Sequence, residues 1–484
     1  MVVFRVIAFD YDDTPQPGGA KMHALSHFPF SQRRPANARS WLAFCAAVPL
    51  LITLAAGTAT AAVTPSAAPA GDPTVITDWN AITVATLSAD TTKQPVEDVL
   101  YTAFVQAAVY NAVVGIEGRY APYRFHAHAP RDASAQAAAV AAAHEILVTY
   151  VPSAQATLDA DYAASLAKLP NGTAKTRGIA FGIRAADSLI RLRAHDGRNA
   201  PIFFTRPPAP GVWRPTPPAF LPMSAPWLAF VTPLLVHSAT QFAPPGPPAL
   251  TSARYTRDFN ESKALGSLTS TERTAEQTST ATFFSGSALV QYNAALRDQV
   301  TVRHLDIVDA ARMFAAIDMS VADAEITVWR AKYVYGFWRP ITAINLADTD
   351  GNPDTAPDPG WVPLFNTPNY PEYPSGYNAF NSTVVHGLQN LFQTRHLHLT
   401  LISTTAPGVV RHYDSGRALL QVLLDQCVVG FSDGLDQLLA RGIGHRVDVV
   451  GPLGLFGHRS ARVAIGLLME EVGDPTELVL LTDR

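Results

Sequence analysis

Helical periodicity begins near Val96. In PVEDVLYTAFVQAAVYNAVVGI, the apolar residues Val99, Leu100, Ala103, Phe104, Ala107 and Ala108 recur as one stripe. Pro95 suits the first turn of that helix, where no amide hydrogen is needed. ASAQAAAVAAAHEILVTYV predicts a second helix, stopped by Pro152. SAQATLDADYAASLAKL and TAKTRGIAFGIRAADSLIRLRAHDG predict two more, separated by Pro-Asn-Gly and ended by Gly197. A new helical pattern opens in TSTERTAEQTSTATFF, with Thr271 and Glu272 at its start. A long one runs from about Leu305 to Trp338. No segment shows a convincing alternation of apolar and polar residues. The pattern predicts an all-α fold, a helical bundle.

Between residues 201 and 250 the pattern stops. RPPAPGVWRPTPPAFLPMSAPW and APPGPPAL can be neither regular helix nor regular strand. The large apolar residues there, Trp213, Phe220 and Trp227, favour an ordered strap with aromatic anchors over a disordered linker. The expected organisation is a leader over 1–61, an N-terminal helical region over 62–200, the proline-rich strap over 201–250 and a C-terminal helical region over 251–484.

The leader reading rests on order of composition. Arg33, Arg34 and Arg39 precede the apolar run WLAFCAAVPLLITLAAG, and a small-x-small site follows at Ala59-Thr60-Ala61. That is a signal-peptide pattern, so the protein is expected to be exported to the cell envelope or beyond. Met22 is an alternative start for it. The run is short and broken by Pro49, so no stable membrane span is expected in the mature chain. The cysteines are Cys45 and Cys427, and Cys45 falls in the leader, which leaves neither an intrachain disulfide nor a cysteine-based metal site. A net charge of −4 without any Lys/Arg run argues against a nucleic-acid partner.

Two short blocks carry candidate chemistry. In KYVYGFWRPITAI, Lys332 and Arg339 are seven residues apart, so two turns of one helix would project both from one face. Tyr333, Tyr335, Phe337 and Trp338 flank them, and cations framed by aromatics are expected to be partly buried and to need anions. The anion is either a carboxylate, such as Glu325, or a ligand. The second block, YPEYPSGYNAF over residues 370–380, favours a ligand. Gly376 would let the backbone approach an oxyanion closely, Ser375 adds a hydroxyl, and a helix starting there would direct free N–H groups at the anion.

Lys332-x6-Arg339-Pro340 followed by Pro374-Ser375-Gly376 resembles the vanadium-dependent haloperoxidases and the related acid phosphatases of the phosphatidic acid phosphatase type 2 superfamily. The likeness extends in texture over about residues 76–415 and points to the bacterial exported members. It implies a helical bundle in which Lys332, Arg339, Ser375, Gly376 and Arg441 hold vanadate, or phosphate in a phosphatase. It implies His445 as the metal ligand and Asp448 as the group that orients it. Small-molecule substrates follow: peroxide with halide, or a phosphate ester.

The chain departs from the family pattern twice. The histidine expected after Pro-Ser-Gly, an acid–base group, is Tyr377. A phenol titrates near pH 10, so it donates hydrogen bonds but is a poor base at neutral pH. His386 falls on the opposite face of the same helix. In ARGIGHRVDVVG, Arg441 precedes His445 by four residues, two fewer than the pattern, and Asp448 follows by three, one fewer. His412 and His458 are weaker alternatives. Three functions therefore stay open: a vanadium haloperoxidase-like oxidoreductase, an acid phosphatase of the same superfamily, or a non-catalytic relative that keeps only the anion site.

Overall fold

The computed structural model describes residues 71–426. The leader over 1–61 and the residues Arg441, His445, Asp448 and His458 lie outside that range. The helices run in the order α1 Thr74–Ala89, α2 Pro95–Glu117, α3 Ala135–Tyr150, α4 Gln155–Ala167, α5 Thr173–Leu192, α6 Ala253–Gly266, α7 Ala275–Phe284, α8 Ala288–Val302, α9 Ile307–Tyr335, α10 Pro340–Asn345 and α11 Gly376–Phe392. An antiparallel hairpin follows, β1 His396–Ile402 with β2 Val410–Ser415, and then α12 Gly416–Gln426.

The fold is mostly helical rather than all-α, because of that hairpin. Its first strand, HLHLTLI, does alternate: Leu397, Leu399 and Leu401 are buried between outward-facing neighbours. The pattern is short and its polar positions are histidine and threonine, which is why the helical reading passed over it. Helices α1, α6, α8, α10 and α12 were also missed. The start expected at Thr271 shifts to Thr274, whose hydroxyl accepts from Gln277 N while the Gln277 side chain returns to Thr274 N.

α2 is the central element. Residues from Glu97 to Val114 are buried on every side, so the predicted stripe is a fully enclosed helix. By length and composition α2 could cross a membrane, but its apolar surface is consumed inside the fold. α3, α5 and α9 pack against it. Close packing of α5 on α3 depends on small residues, since a Cβ on Gly182 would lie 2.2 Å from Ala138 O. The main apolar core joins Ile76 of α1 to Leu423 of α12, so the helices before and after residues 201–250 share one interior.

α9, 29 residues long, carries the rest. Asp306 caps its N-terminus by accepting from Val308 N and Asp309 N. Midway, buried Asp323 accepts from Leu234 N, Leu235 N and Val236 N at 2.6, 2.6 and 2.9 Å. Those bonds tie the irregular segment 201–250 to α9. Apart from the 3-10 turn Pro226–Phe230, that segment has no helix or regular strand. Trp213 and Trp227 are buried in it, whereas Phe220 is 63% exposed and anchors nothing.

One turn earlier, Asp318 ends a buried polar chain. Arg297 donates to Asn80 Oδ1, Asn80 to Asn293 Oδ1, and Asn293 to Asp318 Oδ1. The chain links α1, α8 and α9 inside an apolar surround. Burial pushes the Asp318 carboxyl up to about 7. Burial likewise pushes Asp98 and Asp258 up to about 7. Unfolded, these carboxyls release their protons near pH 4. The folded state therefore holds more protons between about pH 4 and pH 7, and its stability falls as pH rises through that window. The denaturation midpoint should drop across this range, and Asp318→Asn, which keeps a neutral group in place, should flatten the drop. An unchanged slope in the variant would show that Asp318 is ionised in the fold.

Candidate functional site

The cations lie on a stretch built by a helix break. α9 ends at Tyr335 because Gly336 turns left-handed at φ 57°, with its N–H on Lys332 O at 2.8 Å. Lys332 and Arg339 are therefore not two turns apart on one helix. Arg339 is the residue before α10, where Pro340 occupies the first turn. The intervening strand-like residues are held from the side by the irregular segment. Trp213 N donates to Gly336 O, and Trp338 N donates to Gly211 O. Arg206 donates to the last carbonyls of α9, Tyr335 O among them at 2.9 Å.

This turn sets both cations against residues 370–376. Lys332 is fully buried, and its Nζ donates to Pro371 O at 2.9 Å and Glu372 O at 2.7 Å. Arg339, 1% exposed, donates through Nε to Tyr370 O at 2.6 Å and through Nη1 to the Glu372 carboxylate at 2.7 Å. The Tyr370 ring faces both, 5.1 Å from the Lys332 ammonium and 4.6 Å from the Arg339 guanidinium. Glu372, itself buried, is thus the carboxylate on Arg339. Tyr370 is the ring that frames the pair. The sequence offered Glu325 or a ligand as the anion and the aromatics within KYVYGFWRP as the frame. Glu372 and Tyr370 stand inside YPEYPSG, so proximity to the second block was the available signal.

Ser375 precedes α11 and caps it, its Oγ accepting from Asn378 N at 3.2 Å. The cap uses a lone pair and leaves the hydroxyl hydrogen as a donor. Gly376 packs onto α9. A Cβ built there would meet Glu325 Oε2 at 3.2 Å and the Trp329 ring at 3.5 Å. Glu325, Trp329 and Lys332 are spaced three and four apart, so one face of α9 underlies the whole loop. Lys332, Arg339, Ser375 and Gly376 are accordingly brought to one region.

Tyr377 leads away from it. Its hydroxyl donates to Gln291 Oε1 on α8 at 2.7 Å, and its ring meets Phe284 of α7 edge-on. Burial, reinforced by Tyr413, holds the phenol well above its usual range, so it stays protonated. His386 lies farther along α11 with Nδ1 against Gln389 Oε1, and burial lowers its pKa. His412 is exposed on β2 beside Thr400. Among the described residues no cluster of histidine, cysteine and carboxylate side chains could hold a metal cation. The donor set here is instead cationic and N–H/O–H rich, and it suits an oxyanion such as vanadate or phosphate.

The helical bundle and the loop that carries its two buried cations have relatives among known proteins. Residues 312–416 match the VCPO second helical-bundle domain. A stretch of 97 residues is 35% identical to vanadium chloroperoxidase of Curvularia inaequalis, covering 18% of this chain and 15% of that protein. The fold is similar to that of a bacterial vanadium-dependent iodoperoxidase, with a TM-score of 0.62 at 20% identity over 76% of this chain and 95% of the other. It is also similar to a holo-type bacterial vanadium-dependent chloroperoxidase, with a TM-score of 0.57 at 16% identity over 71% and 88%. Residues 312–416 thus match a haloperoxidase-type helical-bundle domain, and the fold is similar to those of the bacterial enzymes, while the matched stretch spans about a seventh of the curated relative. The matched domain contains Lys332, Arg339, Ser375 and Gly376 and ends before Arg441.

The break at Gly336 is the feature most open to test. A Cβ there would add left-handed strain and lie 2.7 Å from the Phe204 ring. Gly351, also left-handed, has nothing within 4 Å of such a Cβ. Gly336→Ala should cost about 2 kcal/mol or more and Gly351→Ala about 1 kcal/mol, read by urea denaturation. Equal losses would show that the Phe204 contact adjusts freely.

Proposed function

We propose that this protein is a vanadium-dependent haloperoxidase-like oxidoreductase that uses peroxide to oxidise halide. The observation that carries the reading is the burial of Lys332 and Arg339 on the 370–376 loop, inside the stretch that matches the haloperoxidase domain. Two cations removed from water are costly unless anions and dipoles surround them. Here one carboxylate and three carbonyls do so, and an oxyanion ligand would add the charge that the pair is able to hold. When bound, vanadate supplies the Lewis-acid centre for peroxide activation.

The chain's residues have distinct parts in this reading. Lys332 supplies a point charge, and Arg339 supplies a planar fork fixed by Glu372 and Tyr370. Ser375 contributes its hydroxyl hydrogen, and the first N–H groups of α11, from Gly376 onward, contribute dipoles. Arg441, His445 and the orienting Asp448 are the residues that the family resemblance assigns to the rest of the cage, and they lie outside the described residues. Tyr377 keeps its proton at neutral pH and supports the loop through Gln291 instead of serving as a base. Export through the leader over 1–61 would deliver the enzyme to the cell envelope or outside the cell.

The test is direct. The purified chain should bind orthovanadate by calorimetry and gain halide-dependent peroxide turnover with it. Lys332→Met should weaken vanadate binding by about tenfold or more. Tyr377→Phe should leave turnover within about threefold, because the hydroxyl is not asked to move a proton. Hydrolysis of p-nitrophenyl phosphate without halide oxidation would instead assign the phosphatase reaction. Vanadate binding without either activity would leave an anion-binding protein.

A further inference from the structure

A second site stands on the irregular segment 201–250. A cleft of about 200 Å³ opens there beside the end of α9, where Tyr333 donates to Phe203 O and Arg206 donates to Tyr335 O. The walls are flat and apolar, made by Phe203, Phe204, Trp213 and four prolines. Phe204 stands edge-on to Trp213 with ring centroids 5.4 Å apart. Phe203 is 69% exposed at the rim, so core packing does not account for it.

The polar groups of the lining are all of one kind. Trp213 is 3% exposed, yet its Nε1–H has no acceptor among the described residues. The Nε–H of Arg214 is also buried without an acceptor, while its Nη2 donates to Ala209 O at 3.2 Å. Arg206 brings a second guanidinium, and no carboxylate among the described residues lines the cleft. A buried donor without a partner costs about 1–3 kcal/mol. Both N–H groups lie just beneath the surface in residues that line the cleft, so a ligand that enters and parts the wall there meets two donors without acceptors. Two guanidiniums with no opposing carboxylate select negative charge in that ligand. The aromatic and proline faces select a flat, apolar body.

We propose that this cleft binds a small aromatic carboxylate, its ring lying along Phe204 and Trp213 and its carboxylate accepting from Trp213 Nε1–H and the Arg214 guanidinium. The site is independent of vanadate, and it is tested on the full chain without it. The probe is 2-naphthoate, titrated by calorimetry, with 2-naphthalenemethanol as the uncharged control of the same shape. 2-Naphthoate should saturate a single site and bind at least about tenfold more tightly than the alcohol. Arg214→Met should weaken it by about tenfold, and Trp213→Phe, which keeps a ring and removes the N–H, by about threefold to tenfold. Arg214 is only partly buried, so its variant tests the proposal even if Trp213→Phe does not fold. Absence of saturable 2-naphthoate binding, equal binding of the alcohol, or unchanged affinity in Arg214→Met would overturn it.

Discussion

A fully buried ammonium and a nearly buried guanidinium cannot sit in a protein interior without compensation. Lys332 and Arg339 impose that constraint on everything around them. Pro371, Glu372 and Tyr370 turn their carbonyls inward to meet it, and the Glu372 carboxylate closes the pair. The loop that supplies these acceptors is therefore fixed on α9, and Ser375 and Gly376 are delivered to the cations with it. The site is a consequence of neutralising two charges, and the start of α11 follows from where that loop ends.

The supporting structure can be read outward from there. Gly336 ends α9 so that Arg339 can swing back beside Lys332. Residues 211–213 and Arg206 hold the turn from outside. Asp323 holds the same irregular segment to the middle of α9, through three backbone N–H groups. Residues 201–250 thus act as a brace, and regular secondary structure is unnecessary because α9 satisfies their backbone. The exposed side of the brace carries the cleft of Phe204, Trp213 and Arg214, so one segment steadies the turn before Arg339 and presents a second surface.

Much of this was legible in the sequence, for identifiable reasons. Long alanine-rich runs announced α2, α3 and α5, because helix propensity and apolar content agree there. Lys332, Arg339, Ser375 and Gly376 stood out because their residue types have few other uses in that spacing. The geometry joining them was not legible. Seven residues look like two helical turns until a left-handed glycine intervenes, and Gly336 lay in plain view within YGFWRP. Glu372 carried no signal of its own in the sequence, although its carboxylate is what meets Arg339 in the interior. The β-hairpin was lost because three alternating leucines are too short a signal against a helical background. Tyr377 was read for its place in a motif, whereas the fold gives its hydroxyl to Gln291 on another helix.

The central claim is that Lys332, Arg339, Ser375 and the first turn of α11 form one oxyanion site. A crystal structure of the full chain with orthovanadate, using the anomalous signal of vanadium, tests it most directly. The account predicts a single vanadium peak with its oxygens about 3 Å from Ser375 Oγ and the N–H groups at the start of α11, and with the Lys332 ammonium turned toward it. A peak elsewhere would contradict the account. So would no peak at saturating vanadate, with Lys332 still donating to the carbonyls of Pro371 and Glu372.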